Sequence, residues 1–504
     1  MVNKKIVNIS DLKDLLTKES KKTHVLCHGV FDLLHIGHIK YFEEARRMGD
    51  VLIVTLTPDH YVNKGPGRPI FDQQLRASAV ASLECVDYVA INEWPTAIET
   101  IHMLKPDIYV KGPDYKKYAD DISGNIKLEE DAIELVNGRI EFTTGQVFSS
   151  SNLINNFFSN NNPEQKKIIQ ELKNKHTIDD IRIKLDQLND MNVLVVGETI
   201  IDEYVFCNSV GKSGKEPVLV SQKLRSEKYA GGVLSVANHL SGFCKNVKVL
   251  TSLGDRDDQQ HFILENISKN IKLDFIEKSN SPTILKTRYI DDYSKTKIQG
   301  IYDLNDKNLT SVEENKFLGK LIPSINDYDL VIVVDYGHGL ITPSIINTLE
   351  DKAVFLAVNT QLNSFNVAFH SISKYRRADY ICVHSGELRH DSRNRNDEIE
   401  SLTKMLFERI DAKYVTITLG KKGSMVYNAK KFTYCPAFAD KVVDRVGAGD
   451  TLLAITSLCF AKGIDERITI LLGNLSAAET VATTGTGNKL NKTSLLKTIE
   501  TLLK

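Results

Sequence analysis

The amino-acid sequence predicts an α/β protein of at least two domains, each built on a largely parallel sheet. Three observations support this prediction. With 504 residues, the chain is several times longer than a typical domain. Short β-branched runs alternate with longer helical patterns in two separate stretches, which is the pattern of βα units. A polar breaker at residues 159–163, Ser-Asn-Asn-Asn-Pro, lies between the two stretches.

The predicted strands locate the two domains. In the first stretch they lie at residues 23–27, 51–54, 88–91 and 108–110. In the second stretch they lie at residues 193–197, 330–334, 354–358 and 414–418. Between the stretches, residues 164–190 are rich in charge and helical in pattern, which indicates a linker with a docking helix. We therefore expect a first domain at 1–158, a linker at 159–190 and a second domain at 191–504.

Composition and charge narrow the class of ligand. Hydrophobic residues make up 42% of the chain and charged residues 26%, which is ordinary globular usage. Lys and Arg (64) nearly balance Asp and Glu (65), so the net charge of −1 gives no field that would gather nucleic acid or an anionic membrane. We therefore expect small-molecule substrates, and neither nucleic acid nor a membrane as partner.

Targeting and cysteine patterns predict a cytoplasmic protein. The first 22 residues lack the apolar core of a signal peptide, and no run approaches the ~18 apolar residues of a membrane span. The seven cysteines are scattered and form no CxxC pair. This usage argues against a structural zinc site and against a disulfide framework.

The first chemical motif, at residues 29–38, directly follows the first predicted strand. A strand, a glycine turn and a helix start place backbone N–H groups and the positive helix end where a polyphosphate can bind. His35 and His38 are three residues apart, so both rings can donate hydrogen bonds to one anion. Gly37 between them allows close approach of a phosphate. Because no nucleophile lies nearby, we predict stabilisation of charge on a transferring phosphoryl group.

This string, Gly-Val-Phe-Asp followed by His-Ile-Gly-His, resembles the HxGH nucleotidyltransferases. Members of that family transfer a nucleotidyl group from an NTP to a phosphorylated small molecule and release pyrophosphate. The resemblance extends over residues 23–157 and is strongest to the adenylyltransferase part of bifunctional ADP-heptose synthases, through blocks at 64–69, 76, 86–88 and 111–115. It implies a small Rossmann-like α/β domain. It also implies nucleotide or phosphate contacts from Gly29, Phe31, Asp32, Gly37 and Arg76.

Three cations of the first domain adjoin glycine or proline residues, namely Lys64, Arg68 and Lys111. Such placement suits loops that grip phosphate, although each could instead be a solvated surface charge. We predict Lys64 as a catalytic residue together with His35 and His38, and Arg68 and Lys111 as phosphate ligands.

A serine run formed by Ser149, Ser150 and Ser151 precedes an apolar pair at 153–154. It can cap a helix whose N-terminus faces the triphosphate, and capping alone is the alternative. In the resembling family this position carries a serine- and threonine-rich motif that contacts phosphates.

The second chemical motif lies at residues 444–451 and precedes a continuously apolar run. The small residues Gly447, Ala448 and Gly449 at the start of a buried helix create a nest of N–H donors. Asp450 places a carboxylate inside this anion site. We expect it to accept a proton from a substrate hydroxyl while the N–H groups stabilise the γ-phosphoryl group. The alternative is a tight turn without catalytic function.

Companion motifs lie at residues 197–202, 230–232, 335–339 and 418–423. With the second motif they resemble the ribokinase-like (PfkB) sugar kinases over residues 191–504, and most of all the heptose kinase part of ADP-heptose synthases, through residues 215–218 and 287–288. The resemblance implies a larger α/β/α domain with a small β lid, near residues 203–224 and 284–304. Such enzymes often dimerise through this lid, so we expect a homo-oligomer.

The resemblance also implies residue roles. Asp450 corresponds to the catalytic base, residues 447–449 to the anion hole, Asp202 to a sugar-hydroxyl ligand and Glu387 to the acid that helps to organise magnesium and phosphate. Asp202 and Glu387 could instead be ordinary surface acids. Further nucleotide contacts are expected at Thr418, Gly420 and Gly423. Further sugar contacts are expected at Gly231, Gly232, Ser235 and Arg288.

The second domain departs from the kinase pattern at three places. Ser235 and His384 each stand where the family usually has Asn, and an expected Asp-Pro-Lys reads Asn-Thr-Gln at 359–361. These positions concern sugar and phosphate contacts, which leaves room for a weakened or redirected kinase. The domain order is also opposite to that of the familiar bifunctional heptose enzyme.

Together, the two motifs predict a bifunctional enzyme of nucleotide-sugar synthesis. A kinase would make a sugar phosphate, and a nucleotidyltransferase would consume one to give ADP-heptose or a similar NDP-sugar. Each step needs a divalent cation, expected to be Mg²⁺ held mostly by the phosphates of ATP or CTP rather than in a dedicated protein site. The alternative is a cytidylyltransferase that makes a CDP-activated polyol or other phosphorylated small molecule, with a redirected or non-catalytic kinase-like domain for binding or dimerisation.

Overall fold

The computed structural model describes residues 4–116, 124–144, 155, 161–367, 369–485 and 489–504. It divides into two compact units. The first unit comprises Met1–Asn162 together with Leu496–Lys504, and the second comprises Pro163–Leu495. The sequence patterns did not indicate that Leu496–Lys504 belongs to the first unit. In the described part of the chain, no helix is both long enough and apolar enough to cross a membrane.

The first unit is built on a five-stranded parallel sheet of order β3-β2-β1-β4-β5. Its strands are β1 His24–Gly29, β2 Val51–Leu56, β3 Tyr88–Ile91, β4 Ile108–Lys111 and β5 Arg139–Phe142. Its helices are Ile9–Lys18, Ile36–Arg46, Gln73–Ala81, Ile98–Leu104 and Asn125–Leu135. The four predicted strands of this unit correspond to β1 to β4.

Both faces of this sheet are covered. In β1, Val25 and Cys27 belong to one apolar cluster, whereas Leu26 between them belongs to another. Successive side chains of a strand point to opposite faces, so the continuous apolar run requires a core on each side. This arrangement confirms the predicted α/β class.

The second unit contains a nine-stranded sheet of order β10-β9-β6-β13-β14-β15-β16-β17-β18. Its strands are β6 Asn192–Gly197, β9 Asn246–Gly254, β10 Ile271–Lys278, β13 Leu330–Asp335, β14 Leu356–Thr360, β15 Arg377–His384, β16 Asp411–Thr418, β17 Ser424–Tyr427 and β18 Phe432–Cys435. The first seven strands in this order, from β10 through β9 and β6 to β16, are parallel to one another. Strands β17 and β18 extend the sheet with antiparallel pairing.

A smaller four-stranded sheet of order β12-β11-β7-β8 belongs to the same unit. It consists of β7 Thr199–Lys212, β8 Leu219–Gly232, β11 Ile284–Asp291 and β12 Lys297–Asp303. These strands coincide with the two segments for which a small β lid is predicted.

Ten helices described within the second unit accompany these sheets. They are Pro163–Lys173, Ile178–Asp186, Val233–Leu240, Gln260–Asn266, Ser311–Leu321, Pro343–Lys352, Ser385–Ser392, Ile399–Arg409, Ala448–Ala461 and Glu466–Val481. The boundary between the units falls inside a further helix, Lys492–Leu503. The first two of the ten occupy most of the predicted linker and docking helix.

The strand order locates a crevice in the first unit. The chain runs from β1 outward through β2 and β3, then returns to the other side of β1 with β4 and β5. Helices that leave adjacent strands in opposite directions open a cleft at the carboxyl ends of the strands, which is where α/β sheets bind ligands. In the first unit this point lies between β1 and β4. The 29–38 motif follows β1, and Lys111 ends β4.

Candidate active sites

The two motif histidines of the first unit lie together at the start of one helix. His35 caps helix Ile36–Arg46, and its Nδ1 accepts a hydrogen bond from the N–H of Gly37 across 3.0 Å. The rings of His35 and His38 stack with their centroids 4.0 Å apart. Burial lowers the pKa of both rings, and for His38, with contributions from His35 and Lys64, the pKa is about 3. Both rings are therefore neutral near pH 7.

The residues before the histidines shape the turn. Gly29 is the last residue of β1, and Phe31 adopts a left-handed backbone conformation with φ of 48°. The Phe31 ring meets the His38 ring edge-on at a centroid distance of 5.4 Å. Phe31 therefore supports the His38 ring, and a nucleotide contact by Gly29 or Phe31 stays a prediction.

Asp32 anchors the loop that carries two of the predicted cations. Its side chain is almost fully buried, and Oδ1 accepts the N–H groups of Ile70 and Phe71 at 2.9 and 3.0 Å. The guanidinium of Arg68 approaches Asp32 Oδ2 to 3.7 Å. These bonds hold the loop beside the 29–38 turn, so Asp32 acts here by positioning Lys64 and Arg68.

Arg76 is fully buried and directs its nitrogens at protein atoms. Its guanidinium donates to the carbonyl oxygens of Val30, Thr57 and Phe71 at 2.5, 2.9 and 3.0 Å. It also forms an ion pair with Asp59 at 2.5 Å. This bonding gives Arg76 a structural role that joins the 29–38 turn to the neighbouring loop. The phosphate contact expected from the resemblance stays a prediction.

Lys111 and Lys64 differ in their surroundings. Lys111 Nζ lies 2.7 Å from Glu129 Oε2 and about 5 Å from the ring centres of Tyr109 and Tyr115. Burial lowers the pKa of Lys64 to about 8, and the Asp32 carboxylate opposes this shift. Lys64 is thus a cation at neutral pH that titrates close to the physiological range.

The serine run, Ser149, Ser150 and Ser151, lies outside the described residues. Its phosphate contact stays a prediction. Within the described part of the first unit, the structure brings together the histidine pair, Lys64, Asp32 and Arg68.

In the second unit, the second motif forms the start of a buried helix. Gly447 precedes helix Ala448–Ala461, whose first turn contains Gly449 and Asp450. The hydroxyl of Tyr336 donates to Asp450 Oδ1 across 3.1 Å. Tyr336 directly follows the carboxyl end of β13, so this bond places Asp450 at the carboxyl edge of the main sheet. That edge is where a doubly wound sheet binds its ligands.

The environment of Asp450 suits a general base. Burial raises the pKa of Asp450 to about 7, and the charges of Asp202 and Glu387 act in the same direction. The Tyr336 hydrogen bond and the Lys286 ammonium oppose the shift. A base whose pKa lies near the working pH combines a useful deprotonated fraction with a strong affinity for the proton.

The residues predicted to contact sugar cluster around Asp202. Arg288 donates to Asp202 Oδ1, and this ion pair is largely buried. A Cβ at Gly231 would overlap Asp202 Oδ2, so a larger residue here would displace this carboxylate. Gly232 ends β8, and Ser235 lies buried in the following helix with its hydroxyl unpartnered among the described residues. Four of the five residues thus lie on three neighbouring strands of the small sheet, and Ser235 lies in the helix that follows.

Three polar residues of this site were not singled out from the sequence. Lys286 is buried and lies 5.5 Å from the ring centres of Tyr302 and Tyr336, and burial lowers the pKa of its ammonium. Glu198 accepts the N–H groups of Tyr336 and His338 at 3.0 Å each. Neither ring nitrogen of the buried His338 has a hydrogen-bond partner among the described residues. His338 lies in the 335–339 motif, so the sequence offers a reason to select it. Lys286 lies in a strand pattern, and nothing in the sequence around it indicates a function.

Glu387 helps to cap a helix, which is a structural role in addition to its predicted functional role. Its two carboxylate oxygens accept the N–H groups of His384 at 2.7 Å and Leu362 at 3.1 Å. The first of these bonds belongs to a capping box at the start of helix Ser385–Ser392. Burial raises the pKa of Glu387. Its expected part in organising magnesium stays a prediction.

The motif at 418–423 forms a tight connection between β16 and β17. Thr418 ends β16, and the N–H of Leu419 donates to the carbonyl oxygen of Gly423 across 2.7 Å. Gly420 lies inside this turn. The turn places the three predicted nucleotide contacts at the carboxyl edge of the main sheet.

Comparisons with known proteins agree with both parts of this description. Residues 26–156 match the cytidylyltransferase-like family, and residues 190–493 match the pfkB family of carbohydrate kinases. The chain is 28% identical over 303 residues to the bifunctional protein HldE of Koribacter versatilis, an alignment that covers 59% of this chain and 61% of the relative. It is 42% identical over 139 residues to the bifunctional protein HldE of Syntrophotalea carbinolica, covering 25% and 28%. Each alignment thus spans less than two thirds of the relative's own length.

The second unit also resembles solved structures. The crystal structure of phosphofructokinase-2 from Escherichia coli in complex with potassium superimposes with a TM-score of 0.51 at 12% identity, covering 62% of this chain and all of that one. At this identity the likeness shows a shared fold. The kinase-family match spans more than half of the chain, and the predicted ribokinase-like fold is thereby confirmed. The protein belongs to the pfkB family of carbohydrate kinases and carries a cytidylyltransferase-like domain ahead of its kinase domain.

Proposed function

We propose that the protein is a bifunctional enzyme of nucleotide-sugar synthesis. The second unit phosphorylates a sugar, of the heptose phosphate type, with ATP. The first unit transfers a nucleotidyl group to a sugar 1-phosphate and releases pyrophosphate, which gives ADP-heptose or a similar NDP-sugar. The observation that carries the proposal is that one chain holds both a stacked histidine pair at the end of β1 and a tyrosine-supported carboxylate at a buried helix start. The bifunctional relatives support it.

In nucleotidyl transfer, an oxygen of the sugar phosphate attacks the α-phosphorus of the NTP, and the bond to the bridging oxygen of the leaving pyrophosphate breaks. The chain stabilises the charge that develops. Because His35 Nδ1 accepts the Gly37 N–H, the neutral His35 ring carries its proton on Nε2 and can donate there. His38 stacks on His35 and Lys64 acts on it electrostatically, which concentrates donors and positive charge at one place.

In the kinase step, Asp450 accepts the proton of the substrate hydroxyl as its oxygen attacks the γ-phosphorus of ATP, and ADP leaves. The N–H groups at the start of helix Ala448–Ala461 stabilise the transferring group. The buried pair of Asp202 and Arg288 orients the sugar. Lys286 adds a buried positive charge beside these groups.

A divalent cation, which we propose to be Mg²⁺, would neutralise triphosphate charge when bound with the nucleotide in either unit. Among the described residues, no three histidine, cysteine or acidic side chains converge in a metal-binding arrangement. The residues present fit an ion that is held mainly by nucleotide phosphates. In the second unit, Glu387, whose charge acts on Asp450, is the side chain that would help to hold it.

The test is to measure both products with the purified full-length protein and Mg²⁺. Pyrophosphate release is followed with each of the four NTPs against a panel of sugar 1-phosphates, and ADP formation is followed with ATP and sugar phosphates that lack a 1-phosphate. We expect pyrophosphate release with ATP and heptose 1-phosphate, and ADP formation with heptose 7-phosphate. Absence of both activities over the whole panel would overturn the proposal.

A second candidate has support from specific positions. The first unit matches a cytidylyltransferase-like family, and Ser235 and His384 depart from the kinase pattern. In this candidate the first unit uses CTP to activate a polyol phosphate or another phosphorylated small molecule, and the second unit only binds ligand or dimerises. It predicts pyrophosphate release with CTP alone and no ADP formation. ADP formation that disappears in Asp450→Ala would eliminate it.

The proposal includes a homodimer formed through the small sheet. Several apolar side chains on β8 and β12 are exposed, among them Leu219, Leu224, Ile298 and Ile301. Exposed apolar side chains grouped on one sheet are typical of a surface that another chain covers. Light scattering coupled to size exclusion should give twice the mass of the chain.

A further inference from the structure

We propose that the segment Leu496–Lys504, here called the return segment, is a working part of the nucleotidyltransferase site. It positions the loop that carries Lys64 and Arg68, and it sets the charge around Lys64. The proposal rests on the nucleotidyltransferase function proposed for the first unit. It adds positioning residues that lie more than 300 residues from the histidine motif in the sequence, yet belong to the same compact unit.

The first contact is between Thr498 and the backbone of Gly65. Gly65 has φ of 90°, a conformation that favours glycine, and a Cβ at this position would lie 2.9 Å from Thr498 Cγ2. Thr498 itself is buried. Since Gly65 follows Lys64 directly, the Thr498 methyl group fixes the path of the backbone at the predicted catalytic lysine.

The second contact is a chain of hydrogen bonds. Arg68 Nη2 donates to Asn155 Oδ1 across 3.1 Å, and Asn155 Nδ2 donates to the carbonyl oxygen of Thr501 across 2.5 Å. On its other side the same loop is held by Asp32, through the N–H groups of Ile70 and Phe71. The loop is therefore fixed from two directions, and the return segment supplies one of them.

The third contribution is electrostatic. The negative charges of Asp32 and Glu500 stabilise the Lys64 ammonium and raise its pKa. The positive charges of Arg68 and Lys504 destabilise it and lower its pKa. His38 lies within the field of Lys64, and Asp114 within the fields of Glu500 and Lys504. Glu500 and Lys504 also pair with each other at 2.7 Å. The return segment thus places one charge of each sign near Lys64.

Two charge variants test the electrostatic part. Nucleotidyl transfer should fall as pH rises through the pKa of Lys64, because the neutral amine no longer stabilises phosphate charge. We call this fall in activity the alkaline limb. In Glu500→Gln the limb should move to lower pH, because a charge that raises the pKa of Lys64 is lost. In Lys504→Gln it should move to higher pH, because a charge that lowers this pKa is lost. Each shift should be about 0.3 pH unit, the size of a Coulomb interaction across roughly 10 Å of water. Opposite shifts cannot come from a general loss of structure, whereas unshifted limbs or shifts in one direction would overturn this part.

A size variant tests the contact with Gly65. Thr498→Leu should displace the loop and lower kcat/KM for pyrophosphate release at least tenfold, while ADP formation by the second unit continues. Thr498→Val keeps the methyl group and should behave as the wild type. Thr493→Leu, on the same helix but within the second unit, is the matched control and should leave pyrophosphate release unchanged. Thermal unfolding of each variant shows whether a loss reflects unfolding.

The outcomes separate this inference from the function on which it rests. If the wild type releases no pyrophosphate with any NTP, the proposed function of the first unit is wrong. If the wild type is active and His35→Ala is inactive, but Thr498→Leu, Glu500→Gln and Lys504→Gln all match the wild type, the function stands and the role of the return segment is refuted.

Discussion

The Tyr336 hydroxyl donates to Asp450 Oδ1 across 3.1 Å, and this bond opposes the burial that raises the pKa of Asp450 to about 7. Tyr336 follows β13, whereas Asp450 lies in the first turn of helix Ala448–Ala461, so the bond joins two motifs that are 114 residues apart. A carboxylate that must take a proton from a hydroxyl needs a high pKa, yet must stay ionised at neutral pH. The Tyr336 hydrogen bond favours the ionised carboxylate and so helps to keep Asp450 deprotonated at neutral pH.

The first prediction is an acidic limb in the kinase reaction. Asp450 acts as a base only when deprotonated, and its pKa is raised, so activity should be lost as pH falls through about 7. A single titration at that pKa reduces kcat/KM about tenfold between pH 8 and pH 6. ADP formation measured across this range checks it. Asp450→Asn should lower the rate by about 10² to 10⁴-fold at all pH values while pyrophosphate release continues.

A second prediction concerns Tyr336→Phe. Without the hydroxyl, the hydrogen bond that favours the Asp450 carboxylate is lost, so the pKa of Asp450 should rise and the acidic limb should move to higher pH. Tyr434→Phe is the matched control, since Tyr434 also donates to a carboxylate, that of Glu400 at 2.8 Å, at an exposed site. An unchanged limb in Tyr336→Phe would contradict the role given to this bond.

A third prediction separates the two activities. His35→Ala or His38→Ala should lower pyrophosphate release by about 10² to 10³-fold, the usual loss when one charge-stabilising donor is removed. ADP formation by the second unit should not change. Pyrophosphate release at the wild-type rate in His35→Ala would refute its assignment. Loss of ADP formation as well would indicate misfolding or coupling between the two sites.

The fourth prediction uses two glycines. Gly231→Ala would force a methyl group onto Asp202 Oδ2, so the carboxylate that Arg288 holds must shift, and we expect KM for the sugar to rise. Gly319→Ala is the control, because Gly319 lies in helix Ser311–Leu321 with open space around the added methyl group. That change should stabilise the protein by about 0.5 to 1 kcal/mol, measured by denaturant unfolding. A normal KM in Gly231→Ala would argue against Asp202 as a sugar ligand.

Much of the fold could be predicted because its signals are local. The apolar runs of β1 and β13 are continuous, and short connections follow them with glycine motifs, so strand, turn and helix start are recognisable within about fifteen residues. The resemblance to two families then extended these signals to whole domains. The short edge strand β5, Arg139–Phe142, has no buried residue, so no apolar run in the sequence predicts it.

The rest of the site depends on contacts between residues distant in the sequence. Lys286 looks like any lysine in a strand, and only the rings of Tyr302 and Tyr336 around it show that it is buried. Arg76 is a candidate phosphate ligand by sequence, and only the structure shows that its guanidinium also bonds to four protein acceptors. The helical pattern of the return segment predicts a helix but cannot indicate which core that helix joins. Such assignments require the tertiary structure.

The discontinuity of the first unit has a consequence for its biogenesis. Residues Pro163–Leu495 are translated after Met1–Asn162 and before Leu496–Lys504, so the ribosome must produce the entire second unit before the first can be completed. Early in synthesis the Lys64 loop has no Thr498 against which to pack. The first unit can therefore be completed only after the second unit has been translated, and its completion closes a loop of more than 300 residues.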